Sequence, residues 1–225
     1  MRLELVNGIR LIIISFLAYV PTVTFSGWFT AWVAKRYDDD LPERFGFLTF
    51  DPFAHFSIFG FALLLIGKFF GNYLTFFKDV PGFGRFIMLD PQPSTSKLKI
   101  IAEFFARSFA HFIMFTISTI ALMLLLKEYG LMSPEMFSKE TGSFLLSSKD
   151  ILVFFLGQNL VLCRIYLLFG IADCICFFWN IPRMFSMIYF GVLIATLLLL
   201  DIPAEFLFKF YISSIQTLVF GATHG

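Results

Sequence analysis

Between Arg10 and Lys35 the chain carries no charged side chain, a run of 24 residues from Leu11 to Ala34. At a helical rise of about 1.5 Å per residue such a run measures roughly 36 Å, enough to cross a hydrocarbon layer about 30 Å thick. The rest of the chain repeats the theme. Over 225 residues it is 58% hydrophobic with 34 phenylalanines, and its mean hydropathy is +0.83. A soluble domain of this size leaves too much surface to hide so many rings. The solvent this sequence is written for is therefore lipid, and the bilayer is its first expected partner. A net charge of +1, with basic residues neither dense nor clustered, excludes a nucleic-acid binder. Cys163, Cys174 and Cys176 are odd in number and lie in one apolar region, so they are read as free thiols acting as small hydrophobes.

The expected fold class is all-α: a polytopic integral membrane protein with one domain of five or six transmembrane helices. The spans are placed at about 11–34, 53–77, 104–126, 151–179 and 184–200, with 202–220 as a sixth. No cleavable signal peptide is read in the first of these, because its apolar run is too long for one. Val20-Pro21 predicts a kink there, since proline removes a backbone donor. Gly60, Gly67 and Gly71 notch the second span for close helix approach. A Pro- and Gly-rich loop follows from Lys78 to Lys99, and a polar loop is expected from Lys127 to Asp150. The fourth span exceeds one straight crossing, which predicts a tilt, kink or break near Gly170. Lys and Arg divide almost evenly between the two sides, so orientation is barely biased toward a cytoplasmic N-terminus.

The run Phe25-Ser26-Gly27-Trp28-Phe29-Thr30 leads through Lys35-Arg36 and the acidic Asp38-Asp39-Asp40 to Gly46-Phe47-Leu48-Thr49-Phe50-Asp51-Pro52-Phe53-Ala54-His55, with Gly60 five residues on. Gly84-Arg85, Asp90-Pro91 and Asn180-Ile181-Pro182 come later in the same order. From Phe25 to about Pro182 this series resembles the site-2 protease family of intramembrane zinc metalloproteases, the small bacterial members above all. The family writes His-Glu-x-x-His, a basic residue, an acidic stretch, then Gly-x-Leu-Thr-x-Asn-Pro-x-x-His. Gly46, Pro52, His55 and Gly60 match that pattern as structural positions. The resemblance implies a bacterial inner membrane as the location.

The departures from the pattern decide the chemistry. In the family, two histidines at i and i+4 bind zinc and the intervening glutamate activates water. The corresponding residues here are Ser26, Gly27 and Thr30. No acid follows Pro182 until Asp201, so the family's aspartate ligand has no counterpart. The expectation is a protease scaffold without metal or cofactor, for which no catalytic residue can be named.

Charged residues within apolar runs are the remaining candidates. Glu103, Arg107 and His111 follow one another at i, i+4 and i+8 on one helical face. They form either a polar track or a helix end at the headgroups, with Glu103 paired to Arg107. Arg164 and Asp173 interrupt the fourth span, where a charge costs at least ~2.5–3.5 kcal/mol on insertion scales and marks a function or partner. Structural pairing, docking of a partner and transport all fit them, and Gln158 and Asn159 can bond across helices. The expected function is a non-catalytic site-2-protease-like protein that binds transmembrane segments of other membrane proteins or serves as a subunit of a membrane complex. The alternatives are an active metalloprotease with a non-standard site and a small transporter or channel.

Overall fold

The computed structural model describes residues 2–70, 81–92, 95–128, 143–181 and 191. Three long helices dominate: α1 (Arg2–Arg36), α5 (Lys97–Glu128) and α6 (Ser143–Phe178). Between the first two lie α2 (Leu41–Arg44), α3 (Pro52–His55) and α4 (Ile58–Phe70). Among the described residues no strand occurs. The three long helices contain apolar stretches long enough to cross a membrane, Gly8–Arg36, Lys97–Leu125 and Ile151–Phe178. On that basis the chain is a membrane protein, and an all-helical one among the described residues.

Each long helix extends beyond its expected span. α1 begins nine residues before Leu11, α5 seven before Phe104 and α6 eight before Ile151. Hydropathy marks only the part of a helix that lies in hydrocarbon, and polar turns continue it outward. The loop expected up to Asp150 is accordingly helical from Ser143. α1 runs through Pro21 as one helix. α6 likewise shows no break at Gly170. A Cβ at that glycine would stand 3.0 Å from the Phe104 carbonyl oxygen, so the missing side chain lets α5 approach. Ser108 Oγ donates to the Cys163 carbonyl at 2.9 Å, and His111 meets Asn159 at 2.9 Å. The pairs 104/170, 108/163 and 111/159 therefore fix α5 and α6 as an antiparallel hairpin.

The expected second span is divided. Asp51 caps α3 by accepting from the Phe53 amide at 3.0 Å, Pro52 occupies the first turn, and extended backbone at Phe56 ends it. α4 then starts at Ile58 and buries Gly60, Leu64 and Gly67. Leu64 packs with Tyr19 and Val23 of α1. Ahead of this, α2 closes on Gly46, whose φ of +77° suits glycine. The Gly46 and Phe47 amides return to Glu43 and Pro42. Asn180, with φ +52°, ends α6 in the same way, and the Ile181 amide bonds the Cys176 carbonyl at 2.9 Å.

Residues 81–92 form no helix, yet Pro81, Gly82 and Ile87 are buried. Irregular backbone at membrane depth requires burial in protein and satisfied polar groups. Tyr19 Oη supplies one such bond, donating to the Phe83 carbonyl at 2.8 Å. The Arg85 amide bonds the His55 carbonyl at 2.9 Å, and the Asp90 amide bonds Asp39 Oδ2 at 2.7 Å. Of the expected span at 184–200 only residue 191 is described, and the rest of it, the span at 202–220 and Arg183 lie outside the described residues.

At the C-terminal end of α1, aromatic and charged residues gather as they do at a membrane–water boundary. Trp28 stacks on Phe50 at 4.2 Å, and the Arg36 guanidinium lies 4.8 Å from the Trp32 ring centre. Lys35 pairs with Asp40 and Glu43 at 2.7 and 2.6 Å. That contact holds the Asp40 carboxyl below its ordinary range, but exposed pairs of this kind contribute little to stability.

Candidate functional site

The family-like motif positions face inward on α1. Ser26 and Thr30 are 0% and 2% exposed, as expected for residues one turn apart on a buried face. Their hydroxyls are turned back onto their own helix. Thr30 Oγ1 donates to the Ser26 carbonyl at 2.7 Å, and Ser26 Oγ donates more weakly to Val23 at 3.4 Å.

Between them, Gly27 is filled from outside. A Cβ built there would lie 2.2 Å from His55 Nδ1 and 2.9 Å from Cε1. His55 Nε2 donates to the Thr49 carbonyl at 2.7 Å. Nδ1 therefore carries the lone pair, which faces Gly27 without a hydrogen-bond partner. Burial holds this imidazole below its ordinary range, with a smaller opposing effect from the Thr49 carbonyl. The neutral ring thus occupies the space a side chain at position 27 would need.

Arg107, 7% exposed, projects from α5 toward the inserted loop. Its Nη1 donates to the Arg85 carbonyl at 3.1 Å, and its guanidinium lies 4.4 Å from the Tyr166 ring centre. Gly84 makes room for it, since a Cβ there would stand 3.0 Å from Nη2. One turn along α5, His111 stacks on the same Tyr166 ring at 5.2 Å with 5° between planes. His111 Nδ1 meets Asn159 Oδ1, and Asn159 Nδ2 donates to Thr22 Oγ1 of α1 at 3.1 Å. One amide thus ties all three long helices together. Glu103 is 0% exposed, so this face of α5 is turned into the bundle.

A cavity of about 380 Å³ opens beside this cluster. Arg107, Tyr166 and Asp173 supply its polar groups, Thr30 reaches it from α1, and aromatic side chains such as Phe83 and Phe104 form much of its wall. Arg164 is elsewhere, exposed on the outside of α6. α6 is continuous, so Arg164 and Asp173 remain nine residues and about 13–14 Å apart along it. The structure therefore joins Arg107, His111 and His55 to one interior region, brings Asp173 to its cavity, and leaves Arg164 outside.

Among the described residues, no three side chains of His, Cys, Asp and Glu gather as a metal-binding group. Cys163 and Cys174 are partly buried and Cys176 is buried, all as free thiols.

Sequence reasoning missed Tyr19 and Tyr166. The available signal was their type: in a chain that uses 34 phenylalanines and seven tyrosines, a tyrosine within an apolar run brings a hydroxyl that must be accommodated. Comparison with protein-family models, with curated proteins and with solved structures returned no match.

Proposed function

We propose that this protein is a non-catalytic relative of site-2 proteases that binds a transmembrane segment of another membrane protein. Arg164 carries this reading. It is the fourteenth of the 28 residues in the apolar stretch Ile151–Phe178, and its side chain is exposed. Either end of that stretch is about 20 Å away by helical rise, beyond the reach of an arginine side chain to the headgroups. A guanidinium at that depth costs at least ~2.5–3.5 kcal/mol against lipid. A facing helix with a carboxylate or carbonyl acceptor removes that cost. Ser26, Gly27 and Thr30 support the non-catalytic half of the reading: the hydroxyls of Ser26 and Thr30 are bonded to their own helix, and the space over Gly27 holds His55.

Replacing Arg164 tests the partner. Arg164→Leu is expected to leave the chain inserted and folded, because the side chain is exposed and, among the described residues, none is bonded to its guanidinium. Purification from native membrane should lose the associated membrane protein by about tenfold or more, the equivalent of 1.4 kcal/mol, while Arg164→Lys retains part of it. A complex recovered unchanged with Arg164→Leu would reject this docking face.

A further inference from the structure

Where the inserted loop meets the corner between α3 and α4, a cation stands among exposed apolar side chains, and neither the missing zinc ligands nor docking at Arg164 accounts for it. Arg85 shares an open cleft of about 430 Å³ with Phe53, Phe56, Ser57 and Ile58. Its backbone is anchored on both sides, the amide to the His55 carbonyl and the carbonyl to Arg107 Nη1. The side chain is exposed, and among the described residues it makes no hydrogen bond or ion pair. Ser57 Oγ accepts from the Gly60 amide at 3.1 Å, which leaves its own proton to donate. Phe53 and Ile58 are largely exposed, and no acid lines the cleft.

The loop climbs beside α1, which sets the depth of this cation. A Cβ at Gly84 would meet Val23 at 3.0 Å, Ile87 packs with Ala31, and the Asp90 amide bonds Asp39. Arg85 therefore stands about level with Gly27 and Trp28, roughly 13 Å of helical rise short of Arg36. Tryptophans mark the headgroup boundary, and an arginine side chain near that boundary reaches it by extending along apolar surface.

We infer that this cleft binds one anionic phospholipid, its phosphate on Arg85 and Ser57 and its acyl chains along Phe53 and Ile58. A guanidinium matches two phosphate oxygens at once, and basic pockets at membrane depth take anionic headgroups in this way. A zwitterionic lipid would bring an ammonium for which the cleft has no acid. Inorganic phosphate offers the same anion but leaves the apolar walls uncovered. Bound lipid would bridge the loop to the α3–α4 corner. The inference is independent of the reading at Arg164, which lies on α6.

The test is native mass spectrometry of the purified full chain in detergent, titrated with dioleoyl-phosphatidylglycerol or dioleoyl-phosphatidylcholine. The anionic lipid should bind one site about tenfold more tightly than the zwitterionic one. Arg85→Gln should remove that preference, and Arg85→Lys should keep part of it. Inorganic phosphate in large excess should leave the lipid bound. Should Arg85→Gln fail to fold, Ser57→Ala decides instead, with affinity for the anionic lipid expected to fall about threefold. Equal affinity for the two lipids, a preference untouched by Arg85→Gln, unchanged binding in Ser57→Ala, or displacement by phosphate alone would each overturn the inference.

Discussion

Gly60→Ala should destabilise the protein by about 3 kcal/mol or more, at the upper end of what overpacking costs. The new Cβ would stand 1.7 Å from the Phe83 carbonyl oxygen, 2.7 Å from its carbon and 2.9 Å from its nitrogen. All three atoms are backbone, so no rotamer change relieves the contact. The loop cannot simply withdraw either, because Tyr19 Oη bonds that same oxygen and the Arg85 amide is tied to His55. Retreat would strip buried peptide groups of their partners, which costs about 1–3 kcal/mol for each group left unsatisfied. Gly157→Ala provides the contrast. Nothing lies within 4 Å of its Cβ position, so helix propensity alone should make it neutral or stabilising by roughly 0.5–1 kcal/mol. Thermal unfolding in detergent, read by thiol labelling of the buried Cys176, distinguishes the two. Equal midpoints for both variants would mean that the loop does not enter the bundle as described.

Asn159→Leu should be the next most damaging change, at about 2 kcal/mol. The side chain is fully buried and makes three bonds: to His111, to Thr22 and to the Phe155 carbonyl at 2.9 Å. Leucine keeps similar bulk but leaves His111 Nδ1 and Thr22 without this partner. Thr22 is cushioned, since its hydroxyl also donates to the Ala18 carbonyl at 2.8 Å. Interhelical hydrogen bonds in membranes average only about 0.6 kcal/mol, because the unfolded chain in lipid also finds partners. Their sum, together with the stranded His111 ring, sets the expected value below that of Gly60→Ala. Denaturation of Asn159→Leu and His111→Leu alone and combined checks the coupling. Strict additivity would show that the two side chains do not act as a pair.

The long helices were legible because lipid imposes a length and a composition on any segment that crosses it. Leu11–Ala34 and Ile151–Trp179 could hardly be anything else. Their ends were not legible, since polar turns such as Ser143–Asp150 continue α6 without a hydropathy signal. The loop at Pro81–Gln92 reads as an ordinary Pro- and Gly-rich connection. Its insertion depends on notches elsewhere, at Gly60 and Gly84, and on one hydroxyl at Tyr19. Such tertiary complementarity leaves no periodic trace in a single sequence. Gly170 illustrates the same limit. A glycine in a long apolar run suggests a break, but here it admits the Phe104 carbonyl of α5 at close range.

The charged residues divided along similar lines. That Glu103, Arg107 and His111 share a face follows from their spacing, and all three are buried. Which ring lies against Arg107 and His111 required α6 to be placed, because Tyr166 is more than fifty residues away. Arg164 and Asp173 looked alike in sequence as charges in one apolar run. The structure separates them, exposing the first and giving the second to the cavity.

The most direct test of the central reading is metal analysis of the full chain purified from native membrane without chelator, alongside a peptide-cleavage assay. Ser26, Gly27 and Thr30 offer a divalent ion only two weak hydroxyl donors already bonded to the helix, whereas zinc sites use imidazole, thiolate or carboxylate ligands. The expected result is zinc far below one ion per chain and no cleavage on adding it. Stoichiometric zinc that a chelator removes, with peptide-bond hydrolysis lost at the same time, would contradict the account.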